Sequence, residues 1–420
     1  MTQHAVPRQR WHLARALCAL LLAGGVSAPC AAAPRNTPAG ADALDLAFRF
    51  AAAIEDSEHD EGGAQRAVLR AMVEAGRLDE ALALSPEVAG WHRGVAYADL
   101  SADLARAGRR EEAREYVRRA EEVRGSVGGW QGPRITVQIG KALAALGEGG
   151  RAEELLDAAA EGDPGEYAGQ AAATLAAARM ARGEFDAAMA ALARPSEEDF
   201  HNAWWRTRGY LDLAGNPTLS RTQRLAALEA ARRTVEATVG MRKLDLLKGI
   251  AEVNHDLGRQ KEARDTLAMV DGWVLDSAAK RPTGAAAIAG LARTWHAIGG
   301  TERARDLLVE AETAVRRGAL IEQPTLYARV ASTYRLIGDG VKARTLYERA
   351  LDVTEAIGGA RPRALAAVAI CLSLAQDQAP PDAGLRSRLE GLYGGLSEPV
   401  AGAPGAAPAN RAGQDLPDGP

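Results

Sequence analysis

The chain has 420 residues, with 51 basic against 55 acidic side chains and a formal net charge of −4. Mildly acidic and without a basic stripe, it lacks the electrostatic footprint of a nucleic-acid binder and the polybasic segment of a membrane-surface binder. Only 3 cysteines and 4 phenylalanines stand among abundant alanine, leucine and arginine, which excludes a disulfide scaffold and favours helices with a small-residue interior.

Arg8, Arg10 and Arg15 precede the first acid, Asp42, and an apolar run from Ala16 to Ala28 leads into small residues through Ala33. A charged start, a short apolar region and a small-residue zone are the layout of a secretory signal, and the run is too short to span a bilayer. Residues 1–32 are therefore expected to be removed, with cleavage after Ala32, because a cut after Ala33 would leave Pro34 directly behind it. Losing three arginines and no acid takes the net charge from −4 to −7. The mature chain is expected in the periplasm or outside the cell, with no membrane insertion after cleavage. Cys18 and Cys30 leave with the signal, and Cys371, in the apolar stretch Ala364–Leu374, is read as a buried structural thiol.

Residues 33–62 read as a linker and a capping helix, with Leu44, Leu46, Ala47, Phe48, Ala51 and Ile54 on one amphipathic face. A short motif then recurs: a turn glycine, a polar stretch, and an alanine five residues on. It reads Gly76/Ala81, Gly108/Ala113, Gly147/Ala152, Gly183/Ala188, Gly258/Ala263, Gly299/Ala304 and Gly338/Ala343. Each glycine closes an apolar helical stretch and each alanine opens the next, as in stacked helical hairpins. After Ala214-Gly215-Asn216-Pro217 no alanine follows at that distance, which divides the array into blocks at 63–214 and 215–395. Arg361–Leu374 and Leu385–Tyr393 are expected to cap the far end. Residues 396–420, rich in Ala, Gly and Pro, read as a disordered tail.

The fullest unit runs from Pro324 to Gly358. Tyr327, Val330, Ala331 and Tyr334 form one stripe of its first helix; Ala343, Leu346, Tyr347, Ala350 and Leu351 form one of its second. At these residues the chain resembles the tetratricopeptide repeat family, over residues 63–360. The resemblance implies an all-α, right-handed solenoid of antiparallel hairpins, and a surface that binds a protein or peptide. Successive turn glycines, with Gly215 included, stand 32, 39, 36, 32, 43, 41 and 39 residues apart. The family period is about 34, so its superhelical pitch does not carry over.

No motif for catalysis, metal or cofactor stands out: there is no His-Glu-x-x-His, Gly-x-Ser-x-Gly or Cys-x-x-Cys. Aligning the units on their turn glycines places Lys248, Glu252 and His255 beside Ala289, Arg293 and His296, followed by Ala328, Ser332 and Arg335. In the N-terminal block the same register gives Ala98, Ala102 and Ala105, then Val137, Lys141 and Ala144, then Ala173, Ala177 and Met180. The inner groove is thus expected to be apolar in its first half and charged in its second. Trp204 falls on the buried stripe and Trp205 on the inner face, either as an anchor for a partner or as filling for a bend. Trp205, Lys248, Glu252, His255, Arg293, His296 and Arg335 are the candidate partner-binding residues. The expectation is a non-enzymatic, exported scaffold; the alternatives are an α/α-framework enzyme, which would need a closed polar cavity, and a cytoplasmic regulator that keeps its N-terminus.

Overall fold

The computed structural model describes residues 41–55, 57–162, 168–193, 200–278, 284–377 and 381–396. The expected signal peptide and, beyond Leu396, the expected C-terminal tail lie outside the described residues; Leu396 itself is buried. Among those described there are nineteen α-helices, one 3-10 turn at Ser85–Glu87 and no strand.

The hairpin turn is where the sequence acts most directly. All seven motif glycines have positive φ, from +77° at Gly183 and Gly258 to +93° at Gly338. That left-handed backbone lets the helix end on itself: Gly258 N–H donates to His255 O, and Arg259 N–H reaches back to Asn254 O. The motif alanine then begins the next helix, Ala263 N–H donating to Arg259 O at 3.0 Å. All seven alanines have zero exposure, because the two backbones of a hairpin meet there. A Cβ at Gly258 would meet nothing within 4 Å, so Gly258→Ala isolates the backbone term. It is expected to lower the unfolding free energy by about 1–2 kcal/mol, measured by denaturant titration.

Helix α1 (Ala41–Ala52) opens the described chain, and eight hairpins follow. They are α2 (Glu58–Glu74) with α3 (Leu78–Leu84), α4 (His92–Arg106) with α5 (Arg110–Ser126), and α6 (Gln131–Ala145) with α7 (Gly149–Gly162). Next come α8 (Ala168–Ala181) with α9 (Phe185–Ala193) and α10 (Phe200–Gly215) with α11 (Arg221–Val235). Then come α12 (Gly240–Asp256) with α13 (Gln260–Ala278), α14 (Gly284–Ala297) with α15 (Thr301–Arg317), and α16 (Gln323–Leu336) with α17 (Gly340–Ala356). The chain ends in α18 (Ala360–Gln376) and α19 (Ala383–Gly394).

Even-numbered helices pack on one another in sequence, while odd-numbered ones lie behind them on their own partners. The chain does not leave the array at Ala214–Pro217. There α11 opens on a capping box between Ser220 and Gln223, packs on α10, and is followed by α12 in the inner layer. Neighbouring hairpins are also stapled by a recurring buried acid. Asp271 of α13 accepts from Trp295 Nε1 at 2.7 Å and pairs with Arg303 at 2.8 Å. One unit later Glu312 of α15 accepts from Tyr334 Oη at 2.7 Å and pairs with Lys342 at 3.0 Å.

The array is an all-α solenoid, and its two ends meet. Helix α18 packs on α16 and on α2, so nine even-numbered helices run side by side and return to the start. Behind α18, the position of a hairpin partner is taken by α1, from the other end of the chain. Phe50 sits edge-on to Tyr393 with ring centroids 5.5 Å apart, Arg49 lies 4.2 Å from that ring's centre, and Arg361 pairs with Asp60. The segments expected to shield two free ends shield each other. Leu44, Ala47 and Phe50 have at most 1% exposure, while Ala364, Ala367 and Cys371 have none. Burial pushes the Cys371 thiol up to about 12, which makes it an inert core residue.

Candidate functional site

Closure turns a concave face into a lumen. Nine helices packed at about 8–10 Å, each about 10–12 Å thick, enclose an opening of roughly 15 Å. A cavity of about 670 Å³ is lined from the even-numbered helices α2 through α12 and from Trp91, the residue that precedes α4. The wall carries six cations, Arg66, Arg70, Arg106, Arg134, Lys141 and Arg242, against three carboxylates, Glu74, Asp99 and Asp103. This surplus of positive charge sits inside a chain that is acidic overall.

The carboxylates are already engaged. Arg66 pairs with Asp99 at 2.9 Å, Arg70 with Glu74 at 3.7 Å, and Arg106 with Asp103. Two further cations lie over tryptophan rings: Arg134 is 5.8 Å from the Trp91 ring centre and Arg242 is 5.7 Å from that of Trp204. Lys141 makes no ion pair and no hydrogen bond. Its pKa is lowered, first by desolvation and then by Arg66 and Arg70, while Asp99 and Asp212 oppose the shift. Those charges come from α2, α4 and α10, so this ammonium on α6 feels the lumen from several sides. Asp212 shows the same enclosure. Its side chain keeps 69% of its exposure, yet its carboxyl is pushed up by the protein crowding around the lumen.

Trp204 and Trp205 both line this cavity and are both half-buried, and of the two it is Trp204 that also packs against the core. Their rings meet edge to face, with centroids 4.5 Å apart, and the buried Trp204 Nε1–H has no hydrogen-bond partner. Trp91 stacks on His92 at 3.9 Å, and His92 shares a 3.1 Å hydrogen bond with His59. Burial pushes the His92 imidazole down to about 4 from 6.5, with His59, Arg66 and Arg134 adding to it. The folded protein thus refuses a proton that the unfolded chain accepts, so stability falls as pH drops from 6.5 towards 4. Melting temperatures at pH 7 and pH 5 are expected to differ less in His92→Gln than in the wild type.

The other candidates lie outside this cavity. Lys248 pairs with Asp245 at 2.7 Å; Glu252 accepts from Thr294 Oγ1 at 3.0 Å; Arg293 Nη1 lies 3.4 Å from Ser332 Oγ. Together with Ser332 and Asp377, 2.7 Å apart, they make a polar belt from α12 to the end of α18. His255 and His296 each bond the start of their own following helix, at Gln260 (2.8 Å) and Thr301 (3.1 Å). Burial, with Arg305 nearby, lowers the His296 pKa, which works against the low-pH attraction that a free imidazole would supply. Arg335 is exposed. The N-terminal half of the inner face is therefore charged, not apolar as expected. Of the N-terminal inner-face residues, Ala98, Ala102 and Lys141 line the cavity, while Val137, with zero exposure, is core. The flanking Asp99, Asp103, Arg134 and Gln138 line it as well. Among the described residues, no group of three or more His, Cys, Asp or Glu could hold a metal ion, and no helix is long and apolar enough to cross a membrane.

No family model matches the sequence, and no curated protein matches it. Among solved structures, the chain is similar to a tetratricopeptide repeat protein from Parabacteroides merdae, at 12% identity over 71% of this chain and 97% of that one, with a TM-score of 0.29. It is similar to the apo quorum sensor NprR from B. thuringiensis, at 13% identity over 67% and 82% of the two chains, TM-score 0.29. A third is a circular tandem repeat protein, at 14% identity over 85% and 96%, TM-score 0.26. Likeness at that level assigns no ligand and no residue. The chain is an all-α helical-repeat protein of tetratricopeptide-like hairpins, a class that its own turn glycines, buried alanines and helix pairing define.

Proposed function

We propose that the protein is a non-enzymatic scaffold, exported from the cell, that binds a protein or peptide partner inside its ring of helices. The observation that carries this is the lumen wall: surplus cations and three tryptophans around a 670 Å³ cavity in an acidic chain. Aromatic anchors and net positive charge are what a binding surface offers a partner. A photoreactive residue in place of Trp205, in protein made in its native host, tests it: crosslinks to one recurrent protein or peptide are expected, and weaker at high salt. Crosslinks that are absent, or that scatter equally from an outer-face position such as Arg316, would refute the scaffold. Export is tested by mass measurement of the same material, which should begin at Ala33; an intact Met1 in a cytosolic pool would refute it.

A second reading has one observation in its favour. The lumen wall is polar. The carboxyls of Asp103, which lines it, and of Asp212, which is exposed and outside the cavity lining, are both raised by desolvation, as in an acid–base site. Each has an arginine four or fewer residues away, at Arg106 and Arg208, which favours a structural pairing over proton transfer.

A further inference from the structure

The lumen has a mouth, and the described chain ends beside it. The even-numbered helices all run in one direction, so their first turns together form one rim of the ring. Trp91, Arg134, Gln170, Trp204, Trp205 and Arg242 stand in the first two turns of their helices or just before them. This rim therefore carries the cavity's three tryptophans and two of its six lining cations. Leu396, the last described residue, is held at the same rim. Its carbonyl accepts from Arg363 Nη2 at 3.4 Å, and Arg363 lies in the first turn of α18. Residues 397–420 hold three acids, Glu398, Asp415 and Asp418, against Arg411 alone. Leu416 is their one leucine, isoleucine or aromatic residue, and it sits in the run Asp415-Leu416-Pro417-Asp418.

We propose that the Asp415–Asp418 segment occupies the mouth of the chain's own lumen and that a partner must displace it to enter. Leu416 lies among the three tryptophans, and the two aspartates pair with Arg134 and Arg242. This regulation rests on the reading of the ring as a peptide-binding scaffold. Charge, reach and tether select this occupant. The lining has six cations against three carboxylates, and the tail carries the opposite surplus. Asp415 stands nineteen residues beyond Leu396, across a stretch rich in Ala, Gly and Pro. A flexible chain of that length spans roughly 22–26 Å on average. Nine helices spaced about 8–10 Å apart make a ring roughly 23–29 Å wide between opposite axes, so the segment reaches the far side of the mouth. Glu398, two residues beyond Leu396, reaches only about 7 Å and stays beside α18. A tether whose mean length matches its span holds the segment at an effective concentration on the order of millimolar, so even a weak contact is populated.

The probe is a fluorescein-labelled peptide of residues 410–420, amidated at its end, titrated against the chain from Ala33 to Pro420. Asp415→Lys with Asp418→Lys in that chain leaves every helix unchanged and should free the mouth. This variant is expected to bind the probe at least about tenfold more tightly than the unsubstituted chain, the ratio a millimolar tether gives against a contact of about 100 µM. An apolar photoreactive residue in place of Leu416 should crosslink, within one copy, to the segment that carries Trp204 and Trp205. Arg134→Glu with Arg242→Glu should abolish that crosslink, and adding Asp415→Lys with Asp418→Lys should restore it. A merely structural role of the two arginines would not give that rescue, and circular dichroism on each variant reports the fold. Equal binding of the probe by both chains, at any strength or none, overturns the tail contact. So does a crosslink that survives in the folded arginine variant. Crosslinks that join two copies would assign the tail to a neighbouring molecule and refute occupation of its own ring. The scaffold reading is decided separately, by partner crosslinks from Trp205 in the native host.

Discussion

Phe50→Ala is expected to lower the stability of the folded chain by about 3–5 kcal/mol, the cost of emptying a fully buried aromatic position. Phe50 has zero exposure and meets Tyr393 edge-on, so the substitution removes packing at the seam where the first helix completes the last hairpin. The consequence should also be spatially distinctive. A solenoid unit leans only on its neighbours, so loosening the seam should speed amide exchange in α1, α18 and α19 before it reaches α8 or α10. Denaturant titration gives the magnitude, and exchange mass spectrometry gives the place. Uniform loosening of every hairpin would show that closure is not a local joint.

Ala331→Trp should be comparably damaging for the opposite reason. Ala331, Ala343 and Ala350 all have zero exposure where α16 and α17 press together, leaving no room for an indole. Overpacking of this kind costs about 1–3 kcal/mol when the neighbours can shift. Here the shift would have to pass to Tyr334 and its bond to Glu312, which staple this hairpin to the preceding one. Thermal unfolding measured on the variant should therefore show the last hairpins melting at a lower temperature than in the parent. A variant that melts like the parent would mean that the helices of this unit do not meet at Ala331.

Much of this was legible in the sequence, for local reasons. A glycine with φ near +80° and an alanine trapped between backbones are constraints that only one or two residue types meet, so both left a mark at every turn. Closure left none. Whether an array returns to its start depends on a small rotation summed over every unit, and no single unit encodes the sum. The partner of α18 lies some 300 residues away at the start of the chain, in a helix that looks by itself like any amphipathic cap.

The site was half legible for a similar reason. Neighbouring positions on a helix point about 100° apart, so an alignment one residue out exchanges Val137 for Gln138 and Ala98 for Asp99. Trp205 and Lys141 came through this because long side chains reach the lumen from the edge of the stripe. Arg66 and Arg70 stand ten and six residues before Gly76 on α2, the same register as Ala98 and Ala102 before Gly108, and outside the inner-face positions of the sequence alignment. The charge of the N-terminal half was hidden with them.

One distance tests the closed ring. Spin labels at positions 60 and 361, which form an ion pair between α2 and α18, can be placed in a chain whose Cys18 and Cys30 are serine. Cys371 is fully buried and should not take the label. Pulsed electron paramagnetic resonance should then give a single short distance, no longer than that of a pair placed across one hairpin. A long or broad distribution, of the kind that two ends of an open superhelix would produce, would contradict the ring and the lumen together.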